Sequence, residues 1–239
     1  MSVRILQREA EVQDALIRLQ SRGLQPRRGG GDLAWSLRYV LRAGHRPPLP
    51  DPRKSWDLEL TIREVEAAVP KSAAIVDLGA WNSAVPPALL RLGYRRLHGV
   101  DLDPRLENGP FAGRIAYHVA DFHSMPFLET ASIAAVTAVS TIEHGWRPDL
   151  LGEVGRVLTP GGLFLASTDY WPDKIDTSDA TAFGMSWSIF SAAEIEELLA
   201  GARDVGLSPI GPIELRADQR VITWNGRQYT FAHLALRKE

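Results

Sequence analysis

The 239-residue sequence has no cysteine. That removes disulfide scaffolds, thiolate metal sites and cysteine nucleophiles, and it makes a reducing cytoplasm the expected compartment. No apolar run approaches the roughly 18 to 20 residues needed to cross a bilayer. Arg4, Arg8, Glu9 and Glu11 break up the N-terminus too early for a signal peptide, so a soluble protein without a membrane partner is expected. Internal repeats and low-complexity tracts are missing as well. Lysine is scarce, with four among 27 basic residues, and the formal net charge is only −2. The charge is uneven, however: Met1 to Trp56 carries 11 basic residues against 5 acids, and the remainder 16 against 24. Such asymmetry fits either a solvated helical face or a surface for nucleic acid.

What is present is a chain, 45% hydrophobic, able to bury one good core. It is organised around Ala73 to Pro104. An apolar run, Ala73 to Val76, leads into Asp77, a turn at Gly79, a helix-like stretch from Ala84 to Leu92, and a second run, Leu97 to Val100, ending at Asp101. This pattern predicts strand, tight turn, helix and strand, with an acid at the second strand's tip. In a parallel βαβ unit that turn lies at the carboxyl end of the sheet, where a ligand meets backbone N–H groups. A carboxylate at Asp101 offers two acceptor oxygens to the two hydroxyls of a ribose. A GxGxxG dinucleotide fingerprint is not there: the run reads Gly79, Ala80, Trp81, Asn82, Ser83, Ala84, and an indole in place of the second glycine crowds a pyrophosphate. A nucleoside ligand without a phosphate fits better, and an NAD-linked oxidoreductase is the weakest contender.

These residues resemble the first motif, DxGCGxS, of the class I S-adenosylmethionine-dependent methyltransferases, in the broad small-molecule group; the match is Asp77, Gly79 and Ser83, with Ala80 and Trp81 replacing the usual small residue and second glycine. A second match follows about 60 residues on. The apolar run Ile133 to Val139 delivers Ser140, Thr141, Ile142, Glu143 and His144, close to the family's SxIEH, and RVLTPGG before the next apolar run is a third similarity. The resemblance implies a Rossmann-like, doubly wound α/β fold. Its sheet would be mostly parallel and seven-stranded, with an antiparallel C-terminal hairpin, over residues 71–239, under an N-terminal helical cap over 1–70. It implies S-adenosyl-L-methionine as cofactor, held by Asp77, Gly79, Ala80, Trp81, Ser83, Asp101, Leu102, Asp121, Phe122 and Ser140. In this scheme Asp121, at the tip of a strand Ile115 to Ala120, takes the adenine amino group.

Elsewhere the spacing predicts N-terminal helices through Ile5, Val12, Leu16 and Leu19, from Asp32 to Leu41, and from Trp56 to Val69, with a proline-rich elbow at Arg46 to Pro52. A fifth strand is expected at Leu163 to Ser167, followed by an irregular loop, 168–190. The loop's Tyr170, Trp171, Phe183 and Trp187 beside Asp169, Asp173, Asp176 and Asp179 suit a polyhydroxylated or amine-bearing acceptor. Ser191 and Glu194 form a capping box for a helix to Arg203, and Asn225-Gly226 predicts a type I′ hairpin near the C-terminus.

If a hydroxyl acceptor is methylated, its proton must leave near the transition state. His144 is the first candidate base, with Glu143 orienting it or the substrate and Asp169 and Tyr170 as further candidates. Relatives that hold a divalent metal use ExxEH. Ser140 stands where the first glutamate would be, so no metal is expected. The leading expectation is methyl transfer to oxygen or nitrogen of a small-molecule or glycan-like acceptor. An RNA methyltransferase using the basic N-terminal segment and a non-catalytic cofactor-binding protein are the alternatives.

Overall fold

A computed structural model of the protein describes residues 3–24, 51–109 and 111–239. The helix expected from Asp32, with Trp35 and Tyr39, and most of the proline-rich elbow lie outside the described residues. The order is β1 (Val3–Ile5), α1 (Glu9–Ser21), α2 (Ser55–Ala68), β2 (Ala74–Leu78), α3 (Val85–Arg91), β3 (Arg96–Asp101), β4 (Ala116–Val119) and β5 (Ile133–Val139). It continues with α4 (Asp149–Val157), β6 (Leu158–Tyr170), β7 (Thr181–Ala182), β8 (Met185–Ser186), α5 (Ala192–Asp204), β9 (Leu207–Pro209), β10 (Ile222–Trp224) and β11 (Arg227–Lys238).

One sheet carries the molecule, its main path running β1-β11-β6-β5-β2-β3-β4, with β9 and β10 also paired to β11. The strands β4, β3, β2, β5 and β6 are mutually parallel. β2 is buried along its whole length, as a strand covered on both faces must be. Because β2 lies between β3 and β5, the chain winds away from it in both directions. The crevice beyond the carboxyl ends of β2 and β5 is therefore the topological switch point, where open α/β sheets bind ligands.

β11 runs antiparallel to β6 from Thr230 opposite Tyr170 to Arg237 opposite Leu163. Its hairpin with β10 turns through Asn225 and Gly226, both at positive φ (45° and 72°), as the type I′ reading required. α5 is capped by the Ser191–Glu194 box and buries Ile195, Leu198, Leu199 and Ala202.

Three local readings need correction. Ile5 does not belong to a helix: Val3–Ile5 is extended, buries alternate side chains and extends the sheet beyond β11. Three residues with period-2 burial are too short a signal to separate from the helical spacing that follows. The Thr159–Gly162 stretch is not a turn before the fifth strand but a bulge within it, since Leu158 pairs with Ile133 and Leu163 with Ala135. The same strand continues through Thr168, Asp169 and Tyr170, which removes those residues from the loop.

α2 is unlike a surface helix. Every residue from Ser55 to Ile62 is buried, because α1 covers one side and the sheet and α3 the other. Among the described residues no helix is long and apolar enough to cross a membrane.

Candidate active site

The turn after β2 is fixed by sterics. Gly79 adopts φ +70°, and a Cβ there would lie 2.5 Å from Thr141 Oγ1, so only glycine fits. Gly79 N and Ala80 N both donate to Val100 O, tying the turn to the end of β3. At that end, Asp101 accepts from Trp81 N on Oδ2 and from Asp103 N on Oδ1, each at 2.9 Å. The carboxylate is thus held in one orientation with a lone pair free on each oxygen. The Trp81 indole stacks with the Arg105 guanidinium, 4.7 Å from the ring centre.

Beside this turn lies a cavity of about 1220 Å³. Gly79, Ala80, Trp81, Ser83, Asp101, Leu102, Asp121, Phe122, Ser140 and His144 all line it. Asp121 accepts from His123 N (2.9 Å) and from the His123 ring (2.6 Å), and lies 3.4 Å from Arg147 Nη1.

Four residues named from the sequence do not line this cavity. Asp77 is buried beneath the turn and accepts from Thr137 Oγ1 on β5, so it braces the two central strands. Burial pushes its carboxyl up to about 7, against the pull of the Ser83 and Thr137 hydroxyls. Glu143 is 2% exposed and does not bond to His144, so it cannot orient that ring. Burial and the charge of Asp169 raise its pKa well above the ordinary carboxylate value. Asp169 is likewise buried, accepting from Trp187 Nε1 at 2.8 Å. Tyr170, the next residue along β6, points to the opposite sheet face, where its hydroxyl donates to Leu215 O and its ring is fully buried. Tyr170 is a core residue.

His144 stands apart from these. Its Nδ1 is buried without a partner among the described residues, and its ring meets Phe183 edge-on at 5.1 Å. Burial, assisted by the nearby charge of Lys54, lowers its pKa to about 4. At neutral pH it is therefore an uncharged imidazole facing the cavity.

The sequence reading missed Lys54 and Asp57, which sit at the start of α2. Lys54 lines the cavity, donates from Nζ to Ser140 Oγ, and lies 4.0 Å over the Phe231 ring. Asp57, fully buried, accepts from Ser167 Oγ (2.9 Å), Ser140 Oγ (3.2 Å) and Leu58 N (2.9 Å). Ser140 itself has φ 48° and donates its N–H to Ser167 Oγ at 2.9 Å. The available signal was the Lys-Ser-Trp-Asp start of the helix, which puts Lys54 and Asp57 at the end of α2 where every residue from Ser55 to Ile62 is buried.

The loop is also rearranged from expectation. Trp187 and Phe190 are core residues, whereas Phe183 and Met185 reach the cavity from the β7–β8 hairpin. Asp179 pairs with Arg227 (2.6 Å), and Asp176 accepts from Ser178 N (3.0 Å). Among the described residues no three His, Asp or Glu side chains are grouped to hold a metal ion.

The sheet order, the switch-point cavity and the acid at the tip of β3 are the arrangement of the class I S-adenosylmethionine-dependent methyltransferase fold. Residues 76–166 match the family described as "Methyltransferase domain". The dimethylglycine N-methyltransferase of Parasynechococcus marenigrum is 26% identical over 117 residues, 45% of this chain and 41% of that enzyme. The chain thus spans less than half the length of that curated relative.

Two solved structures share the fold. The geranyl diphosphate C-methyltransferase of Streptomyces coelicolor, solved with Mg2+, geranyl-S-thiolodiphosphate and S-adenosyl-L-homocysteine, superposes with a TM-score of 0.58 at 14% identity, covering 83% of this chain and 84% of that one. The 1,6-didemethyltoxoflavin-N1-methyltransferase of Burkholderia thailandensis, with bound 1,6-didemethyltoxoflavin and S-adenosylhomocysteine, gives a TM-score of 0.55 at 16% identity, covering 89% of this chain and 92% of that one.

Proposed function

We propose that this chain transfers a methyl group from S-adenosylmethionine to an oxygen or nitrogen of a small-molecule acceptor. The observation that carries this reading is that one cavity has a fixed carboxylate fork, Asp101, at one place and a neutral imidazole, His144, whose Nδ1 has no partner among the described residues, at another. The bound cofactor supplies an electrophilic methyl on a sulfonium, so the protein's work is alignment, water exclusion and removal of one proton.

Asp101 accepts from the two ribose hydroxyls, and Asp121 from the adenine amino group. Gly79 lets the chain pass close to the cofactor, and Lys54, beside Ser140, meets the carboxylate of its amino-acid tail. His144 then takes the acceptor's proton as the new bond forms. A low pKa keeps the imidazole deprotonated across the neutral range, at the cost of a weaker pull on the proton than an ordinary histidine exerts.

The acceptor is read as a small molecule. None of the acids that suggested a glycan, Asp169, Asp173, Asp176 and Asp179, lines the cavity; Asp179 pairs with Arg227, and Asp169 is buried against Trp187. In the described part of the basic N-terminal segment, Arg4, Arg18, Arg22 and Arg53 each face a carboxylate, which weakens the case for RNA. The non-catalytic alternative arose from Trp81, whose ring packs with Arg105 and leaves the cavity open.

The test is calorimetry with S-adenosylhomocysteine, followed by incubation of labelled S-adenosylmethionine with panels of phenols, alcohols and amines. Saturable binding and label transfer are expected. Binding without transfer to any acceptor would favour the non-catalytic reading, and no binding would remove the proposal altogether.

A further inference from the structure

Phe183 sits at the tip of the β7–β8 hairpin, whose register, Thr181 opposite Ser186 and Ala182 opposite Met185, leaves Phe183 and Gly184 as a two-residue turn. Both have positive φ, 56° and 77°, the requirement of a type I′ turn. Asparagine or glycine suits that first position. A bulky aromatic there is a true backbone outlier, and such strain concentrates at ligand-binding sites.

The chain contains its own control. The β10–β11 hairpin makes the same turn with Asn225-Gly226, φ 45° and 72°, away from the cavity. Where no ligand is to be met, the favoured residue is used; at the cavity a phenylalanine replaces it. Phe183 is also 82% exposed, the most exposed of the large apolar side chains named among the described residues, so the folded chain gives its ring little burial in return.

The hairpin is firmly mounted beneath that ring. Gly145 N donates to Ser186 O (3.2 Å), His144 and Trp187 form an antiparallel bridge, and Thr177 Oγ1 donates to Trp187 O (2.6 Å). Ala182 and Trp187 are both buried. The mount is built on the same residues, His144 and Gly145, that carry the candidate base. On this side the cavity is lined by Phe183, Met185, Gly145 and His144, and by Arg147, whose guanidinium is engaged by Asp121 (3.4 Å) and Asp149 (2.9 Å). Glu143 and Asp169 are buried and do not line the cavity.

From this arrangement we infer that Phe183 is a specificity-determining residue and that the acceptor is a flat, weakly polar ring bearing the hydroxyl or amine to be methylated. Stacking on Phe183 covers an exposed aromatic face and a thioether at Met185, and holds the ring's nucleophilic atom at His144. Sugars and alkylammonium compounds find neither an acceptor cluster nor an open carboxylate at this wall. The inference rests on the cofactor and the base assigned above, and it names the acceptor class for that same site.

The experiment uses protein saturated with S-adenosylhomocysteine and saturation-transfer NMR with catechol, 4-hydroxybenzoate and 8-hydroxyquinoline, against cyclohexanol, glucose and sarcosine. Turnover of any probe that accepts label is measured alongside. Aromatic probes are expected to bind and the others not to. Phe183→Ala should weaken aromatic binding, or raise KM, about three- to tenfold with kcat nearly unchanged; Phe183→Tyr should restore it. Affinity for S-adenosylhomocysteine should not change in either variant, which separates the inference from the cofactor reading. Equal binding of cyclohexanol, an aromatic affinity indifferent to Phe183→Ala, or no aromatic binding to the loaded protein would each overturn it. Failure of the native protein to bind S-adenosylhomocysteine would instead strike the proposed function.

Discussion

The two ends of the cavity are built on different principles. At the proposed nucleoside end, the turn and the ribose-facing acid belong to one contiguous βαβ unit, from Gly79 to Asp101, and are held by backbone hydrogen bonds: Gly79 and Ala80 to Val100 O, Asp101 to Trp81 N and Asp103 N; Asp121 joins them from the tip of the next strand. At the proposed acceptor end, with the cofactor's tail, they come from three distant stretches, Lys54, Ser140 to Gly145, and the β7–β8 hairpin, joined by long-range contacts such as Lys54 to Ser140 Oγ, His144 to Phe183 and Gly145 N to Ser186 O. A site made of local backbone geometry tolerates little change in the turn itself. Assembly from separate elements lets the acceptor wall vary without disturbing the cofactor.

The harshest way to break that contrast is at the turn. Gly79→Ala places a methyl against Thr141 on a left-handed backbone, and should cost about 2 to 5 kcal/mol of stability and abolish S-adenosylhomocysteine binding. Urea unfolding and calorimetry read both. His144→Ala attacks the other end alone: turnover of a hydroxyl acceptor should fall about 100-fold with cofactor affinity intact. A fully active variant would remove it as the base. Asp101→Ala should weaken S-adenosylhomocysteine by about 1 to 3 kcal/mol, the scale of hydrogen bonds to a charged group, while acceptor KM stays the same.

The same contrast explains what could be read in the chain. That Asp101, Gly79 and Ser140 would share one cavity was legible because strand tips in a parallel sheet share one edge, so order along the sequence fixes position in space. The strand Ile133 to Val139, the Asn225-Gly226 hairpin and the Ser191 cap were legible for similarly local reasons. Tyr170 and Asp169 were misplaced because β6 runs three residues past Ser167, and one step of a period-2 strand turned Tyr170 to the far face. Lys54 and Asp57 were missed because their role depends on α2 packing over the tip of β5, a long-range contact that no local pattern encodes. Phe183 was legible as an aromatic in the loop but not as the one that faces outward. That distinction follows only from the β7–β8 register and the burial of Trp187.

The smallest expected effect sharpens the link between the two ends. His144 is held down to a pKa of about 4 by burial first and by the Lys54 charge second. Native turnover should therefore stay level from about pH 7 to pH 5 and fall only nearer pH 4, where the imidazole takes up a proton. Lys54→Met removes the cation that disfavours that proton, so the acid limb should move upward, by less than burial alone accounts for. An unshifted limb would show that Lys54 does not act on His144.

The central claim is that one cavity holds the cofactor's ribose at Asp101 and points its sulfur toward His144. A crystal structure with S-adenosylhomocysteine tests it most directly. The account predicts both ribose hydroxyls on the Asp101 carboxylate, the Trp81 ring still against Arg105, and the thioether lying between Ser140 and His144. An empty crevice, or the indole turned into it with the nucleoside bound elsewhere, would contradict it.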